Sequence, residues 1–374
     1  MLDAASLDPK QAERSPALDL AAALLKGSTG RRRAVAALQG VGTTMQMRDF
    51  GRTGLKVSIL GFGCGAVGGL MVRGAPADQE RAVAHAIEAG INYFDTASQY
   101  GNGASETNLG RILKKLKPDV IVGTKVRLDP DADDIAGEVS RSLEASLRRL
   151  QMDRVDIFHL HNPITRDGGG GSLPAETVLD EVAAALERLR QQGKTRFIGI
   201  TAIGDTAALH EIIGAGSFQS AQVSFNMLNP SAADPVPPGY PGQDYDRLLD
   251  RAAGSGAGTI GIRALAGGAL SGDAARHPIA SPPPEPIGSA TSYAADLERA
   301  QRLLPLVREG FADSLAEASL RFVSGSPLIS TMLVGIATLD QLEQAIAAVE
   351  KGPLPPEALR CLAELHREFA GEAR

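Results

Sequence analysis

The chain has 374 residues, 43% hydrophobic and 22% charged, which is globular composition and enough length for one large barrel or two ordinary domains. A formal net charge of -6 gives nucleic acid or an anionic membrane no basis for binding, and no stretch approaches the roughly 18 apolar residues of a membrane span. Two cysteines, Cys64 and Cys361, exclude a disulfide framework and fit a reducing, cytoplasmic compartment, while oligomeric state is unreadable.

Residues 1–46 read as an extension. An Ala/Leu-rich stretch, Leu18–Leu25, precedes Arg31-Arg32-Arg33 and the mildly apolar Ala34–Gly42, faintly like an arginine-type export signal. Gln39 interrupts the apolar run and no A-x-A cleavage site follows, so a flexible extension, or a start at Met45 or Met47, fits better. The barrel-forming part is expected over residues 47–374.

From Val57 onward, eight short aliphatic runs alternate with helical patterns. The strands are expected at Ser58–Phe62, Asn92–Phe94, Val120–Thr124, Val155–His161, Arg196–Thr201, Ser220–Ser224, Thr259–Ile262 and Thr331–Val334. Amphipathic helices are expected at Asp78–Ala89, Ser105–Lys115, Ile135–Leu150, Thr177–Gln192, Thr206–Ile213, Tyr245–Ala253, Leu315–Val323 and Leu339–Val349. In Ile135–Leu150, for example, Val139, Leu143, Leu147 and Leu150 form one stripe. Eight βα units predict a single closed (β/α)8 TIM barrel. A doubly wound sheet would carry a G-x-G-x-x-G turn after its first strand, and Gly61-Phe62-Gly63-Cys64-Gly65 does not complete one. Pro/Gly-rich stretches at Asn229–Gln243 and Gly272–Ser289, and a smaller one at Asp167–Gly171, fall on strand-to-helix connections and are expected to form a substrate rim.

Chemistry-bearing residues gather at the strand ends. Phe94-Asp95 closes the second strand, and Tyr100 follows five residues later in the loop. Thr124-Lys125 ends the third strand; a lysine there is costly to bury unless paired, and Asp95 can pair with it. The fourth strand ends in His159-Leu160-His161-Asn162-Pro163. Two apart on a strand, the histidines face the same side, as they would in a metal-dependent hydrolase. Such a site needs more ligands at other strand ends; Asp95 is one candidate, but His85, His210, His277 and His366 fall in helical or loop segments.

Asp95, Tyr100, Lys125 and a histidine, in that order at three strand ends, resemble the aldo-keto reductase family. Phe50–Ser58 is similar to that family's opening hairpin, Phe62–Ala66 to its first strand-end turn, and Gln222–Asn226 to its sixth strand. Leu265–Gly272 and Gly335–Gln344 look like its segments after the seventh and eighth strands, so the resemblance runs from about Met47 to the C-terminus.

The resemblance implies an NAD(P)H-dependent oxidoreductase interconverting a carbonyl (aldehyde, ketone or sugar) and an alcohol. Asp95, Tyr100, Lys125 and His161 would be catalytic, with Tyr100 the general acid/base, its pKa lowered by Lys125, and His161 orienting the carbonyl oxygen. His159 is then a hydrogen-bonded interior residue, and no metal is expected. Cofactor contacts are implied at Gly63, Cys64, Gly65, Thr201, Gln222, Arg263, Leu265, Gly335, Thr338, Gln341 and Gln344. Gln222 and Thr201 would face the nicotinamide amide, although Ala202 stands where the family commonly has Asn. Arg263 would reach the pyrophosphate. Thr338–Gln344 is expected to open the final helix, whose N-terminus could receive phosphate. Family habit favours NADP(H), with NAD(H) possible because Gln341 and Ala345 stand where a base and an Asn often hold the 2′-phosphate. Two other readings are a cofactor-binding regulatory barrel without catalysis and the hydrolase using His159 and His161.

Overall fold

The structure, a computed structural model, describes residues 45–273 and 275–370; the readings made for the arginine-rich stretch lie outside these residues. Eight strands close a barrel: β1 (Leu60–Gly63), β2 (Tyr93–Asp95), β3 (Ile121–Val126), β4 (Val155–Leu160), β5 (Thr195–Ala202), β6 (Ser220–Ser224), β7 (Gly258–Ile262) and β8 (Thr331–Gly335). Each pairs in parallel with its neighbours, and β8 returns to β1. The helices that follow the strands are α1 (Pro76–Glu88), α2 (Ala104–Leu116), α3 (Ile135–Leu150), α4 (Ala183–Gln191), α5 (Thr206–Gly214), α6 (Leu248–Gly254), α7 (Leu315–Gly325) and α8 (Leu339–Glu350). This is the expected (β/α)8 barrel.

Helix α3 shows why the pattern is legible. The Asp134 carboxylate accepts from Gly137 N–H at 2.8 Å and caps the first turn, and Gln151 ends the helix in a left-handed conformation at φ 56°. Between them Val139, Leu143, Ser146 and Leu150 are buried against the barrel.

Three features differ from expectation. Strand ends run past the predicted limits at β3, which reaches Val126, and β5, which reaches Ala202. Helix α8 is not the last: Pro356–Glu368 forms a further helix, buried through Ala358, Leu362 and His366. Its His366 imidazole bonds the Met227 carbonyl at 2.7 Å, tying the C-terminal region to the segment after β6. The packed chain also begins before residue 47, because Met45 is buried and the Gln46 carbonyl accepts from Ile59 N–H at 2.8 Å.

The barrel floor is closed by a hairpin of Met47–Asp49 with Lys56–Ser58. It places Phe50, Leu55 and Val57 in a small apolar cluster with Tyr93, Ile121, Ile157 and Ile260. Arg48 fastens the hairpin by donating to the carbonyls of Ser324, Ser326 and Ile329 at 2.6–2.7 Å. Above this plug the barrel interior turns polar. His159 Nε2 and Ser220 Oγ lie 3.0 Å apart, and Gly199 makes room for the ring, since a Cβ there would come within 2.6 Å of His159 Cδ2.

Of the three expected rim loops, only Gly272–Ser289 contributes to the main cavity wall, through Asp273, Ala275, Arg276, His277, Ala280 and Ile287. Asn229–Gln243 is pinned instead. The Asn229 side chain donates to the Gln243 and Gly288 carbonyls, Tyr240 OH donates to the Leu228 carbonyl at 2.8 Å, and Ser231 and Tyr240 are buried. Asp167–Gly171 likewise stays off the wall, its Gly168 and Gly169 carbonyls taken by Thr165 and Ser172.

Candidate active site

A cavity of about 920 Å³ opens at the C-terminal ends of the strands. That is the upper end of the range for small-molecule sites and suits an elongated ligand with a second molecule beside it. Asp95, Tyr100, His161, Thr201 and Gln222 line one end.

Lys125 lies just beneath this end, 1% exposed, on the last turn of the pleat before β3 ends. Its ammonium forms an ion pair with Asp95, which is 3% exposed, and donates to the Thr96 carbonyl at 2.8 Å. The third neighbour is the Tyr100 hydroxyl at 3.4 Å. The Asp95 carboxylate is saturated from two sides: Gln222 Nε2 donates at 2.6 Å from β6, and Tyr93 OH at 3.3 Å from two residues earlier on the same strand. Gln222 Oε1 in turn accepts from Thr201 Oγ1 at 3.2 Å, across the register that sets Gln222 beside Thr201. A buried charge pair survives where every lone pair and proton is used in this way.

Burial pushes the Asp95 carboxyl up, against the pull of Lys125, Gln222 and Tyr93. Burial pushes Lys125 down, but Asp95 and Tyr100 outweigh it and hold the ammonium above its ordinary range. For Tyr100 the sequence-based expectation fails. Lys125 does favour the phenolate, but burial is the larger effect and Asp95 adds to it, so the net shift is upward and the phenol stays protonated through neutral pH.

His161 faces Tyr100 edge-on, with ring centroids 5.9 Å apart and planes at 82°. Burial, Lys125 and Arg127 push its pKa down to about 3, so the ring is neutral. Its Nδ1 lies 3.3 Å from Gln99 Oε1. Gln99 is a partner that the sequence did not single out. His159 sits one layer lower beside Ser220, held neutral by burial and by Lys125. Among the described residues no three His, Cys, Asp or Glu side chains group as a metal would require, so the H-x-H pair lacks the ligand set that the hydrolase reading needs.

Gly63, Gly65, Arg263, Leu265, Gly335, Gln341 and Gln344 all reach the cavity wall, as does Ala345. Gly65 is a cradle: a Cβ there would rest 3.6 Å from the Tyr100 ring, in the open space above the phenol. Arg263 takes a left-handed backbone, φ 60°, and its guanidinium makes no hydrogen bond or ion pair among the described residues. An unpaired, half-buried guanidinium beside a long cavity is the donor that an anionic ligand such as a dinucleotide pyrophosphate needs.

Two expected contacts fall elsewhere. Cys64 is fully buried and off the wall; its N–H bonds the Asp95 carbonyl and its carbonyl accepts from Ser105. Burial holds its thiol well above the ordinary range, so it is no thiolate. Thr338 caps α8 rather than lining the cavity, accepting from Gln341 N–H at 3.2 Å. Gln341 Oε1 then takes Ala337 N–H at 2.7 Å, pinning the turn that leads into α8.

Comparison with known proteins agrees with this arrangement. The sequence is 32% identical over 325 residues to an L-galactose dehydrogenase of Arabidopsis thaliana, covering 82% of this chain and 89% of the relative. It is 26% identical to an L-glyceraldehyde 3-phosphate reductase of Escherichia coli strain K12, over 82% and 88% of the two chains. It is 24% identical to a probable voltage-gated potassium channel subunit beta of Arabidopsis thaliana, over 83% and 93%. Among solved structures, the fold matches a holo-form aldo-keto reductase from Bacillus halodurans with a TM-score of 0.63 at 24% identity, covering 88% of this chain and 98% of that one. The sequence model of the Aldo/keto reductase family matches residues 59–367. The chain therefore belongs to the aldo-keto reductase family.

Proposed function

We propose that the protein is a nicotinamide-dinucleotide-dependent oxidoreductase that interconverts a carbonyl and an alcohol, with Tyr100 as the general acid/base. The observation carrying this reading is the Tyr100 hydroxyl at 3.4 Å from Lys125, an ammonium itself locked to Asp95. A phenol is a weak acid, and its proton leaves readily only where the phenolate is met by fixed positive charge. Tyr100 donates its proton to the substrate oxygen in reduction, and Lys125 stabilises the phenolate left behind. Asp95 keeps Lys125 charged and in place. In oxidation the same phenolate accepts the alcohol proton.

The neutral His161 orients the carbonyl oxygen by donating from Nε2. That role requires Nδ1 to accept, so the Gln99 amide turns its NH2 toward the ring. The bound cofactor supplies or accepts the hydride. Thr201 and Gln222 would hold its carboxamide end, Arg263 its pyrophosphate, with Gly63, Gly65, Leu265 and Gly335 forming the close-packed wall. The barrel, with its hairpin, is read as one unit from about residue 45 onward.

Substrates are sought first among polyhydroxylated aldehydes and their alcohols, because the relatives include an L-galactose dehydrogenase and an L-glyceraldehyde 3-phosphate reductase. A purely regulatory barrel is disfavoured by the complete and fully hydrogen-bonded Asp95–Lys125–Tyr100 set. The test is reduced-cofactor consumption with a panel of aldoses and short hydroxyaldehydes, and cofactor reduction with the matching alcohols. Turnover with at least one pair is expected. Cofactor binding without turnover on any pair would instead support the regulatory reading.

A further inference from the structure

Resting on the dinucleotide reading above, we infer that the adenosine end of the cavity selects NAD(H) and rejects NADP(H), against the habit of the family. A nicotinamide at Tyr100 leaves the opposite end of the same cavity for the adenosine. That end lies between the start of α7, with Asp313, Ser314 and Glu317, and the inner face of α8, with Gln344, Ala345 and Lys351.

A 2′-phosphate carries nearly two negative charges and needs free cationic or N–H donors. Each cation on that part of the wall is already paired among the described residues. Lys351 is held between two carboxylates, Asp313 at 2.6 Å and Glu317 at 2.7 Å. Arg321, the nearest guanidinium behind it, is spent on Glu317 at 3.0 Å and on the Phe311, Gly352 and Pro353 carbonyls at 2.9–3.1 Å. Further along the wall, Arg276 donates to the Gly267, Ser281 and Val67 carbonyls at 2.7–3.3 Å. Each helix N-terminus also has its third amide capped by its own residues. Ser314 accepts from Glu317 N–H at 3.1 Å while Glu317 accepts from Asp313 N–H at 3.3 Å, a reciprocal capping pair. Thr338 and Gln341 do the same for α8.

What the site does offer is acceptors. Asp313 and Glu317 are carboxylates on the wall, and a ribose 2′-hydroxyl can donate to one of them, the chemistry by which an acidic residue reads NAD. A phosphate at that position would be repelled by the same groups. The sequence signal points the same way: Gln341 and Ala345 replace a base and an amide.

The test is direct binding of NADH and NADPH to the full chain without substrate, by calorimetry or nicotinamide fluorescence. NADH is expected to bind at least about tenfold more tightly, roughly 1.4 kcal/mol. Replacing both carboxylates (Asp313→Asn with Glu317→Gln) releases Lys351 and should narrow the ratio by about tenfold, mostly by tightening NADPH. In case that double variant does not fold, Asp313→Asn alone, at an exposed side chain, gives an independent reading and should narrow the NADPH-to-NADH Kd ratio by severalfold. Equal or tighter binding of NADPH by the wild type, or an NADPH-to-NADH Kd ratio unmoved by Asp313→Asn, overturns the inference. Binding of neither dinucleotide overturns the dinucleotide reading itself, and this inference with it.

Discussion

The two ends of the cavity are built on opposite principles. At the Tyr100 end, groups from β2, β3, β5 and β6 saturate one another: Asp95 alone takes bonds from Lys125, Gln222 and Tyr93. Removing either Asp95 or Lys125 leaves the other buried charge without its partner. At the adenosine end, Lys351 and Asp313 are more exposed, and the polar groups are satisfied by helix caps and by ion pairs between the ends of α7 and α8. The Tyr100 end is therefore fixed by mutual saturation, while the far end is a wall whose charges, on the reading proposed above, set the choice of cofactor. Arg263, also on the cavity wall, has no side-chain hydrogen-bond or ion-pair partner among the described residues.

The largest effect that would sharpen this contrast is at Lys125. Lys125→Met leaves Asp95 buried without its counter-charge, and a loss of about 3–5 kcal/mol of folding stability is expected, read by urea denaturation. Turnover should fall with it, whereas Lys351→Ala at the far end should cost under about 1 kcal/mol, as exposed pairs do. Comparable losses in the two variants would erase the distinction.

Next is Arg263→Ala. Removing one charged donor from a pyrophosphate should weaken NADH binding by roughly 10- to 100-fold, from about 1.5–3 kcal/mol per charged hydrogen bond. The wild-type affinity should also drop with salt more steeply than the variant's. An unchanged Kd would remove Arg263 from the cofactor site.

A smaller, pH-dependent effect comes from the histidines. His161 is held at about 3 when folded, whereas a histidine in the unfolded chain titrates near 6.5. Below that value the unfolded chain takes up a proton that the folded one refuses, so the stability contributed is complete above about 6.5 and lost as pH falls toward 3. The urea midpoint should decline over that window less steeply in His161→Gln than in the wild type. His161 should also leave no inflection in the rate of reduction between about pH 5 and 8. The smallest expected effect is at Gln99, where Gln99→Ala should lower kcat by only severalfold, through loss of the preferred His161 tautomer, and leave cofactor affinity alone.

Much of this was legible in the sequence because it is local. Strand and helix periods placed all eight βα units, and the strand ends carried Asp95, Lys125 and His161 with them. What escaped is non-local or compositional. No spacing rule says that Gln222, over a hundred residues away, closes on Asp95, whereas Tyr93, two residues before it on β2, follows from strand alternation and was not singled out. The Pro/Gly content of Asn229–Gln243 suggested an open rim, yet Asn229 satisfies three partners and pulls that loop into the packed wall. The Tyr100 phenol was expected to acidify from its lysine alone, since burial, the larger effect, cannot be read from a strand-end position.

The most direct measurement of the central claim is single-turnover reduction of a good carbonyl substrate by the wild type and by Tyr100→Phe, with cofactor Kd determined on both. A general acid is worth about 10²- to 10⁴-fold, so the rate in Tyr100→Phe should fall by that amount while the cofactor Kd stays within about twofold. Equal rates in the two proteins would contradict the assignment of Tyr100 and, with it, the chemistry proposed for this site.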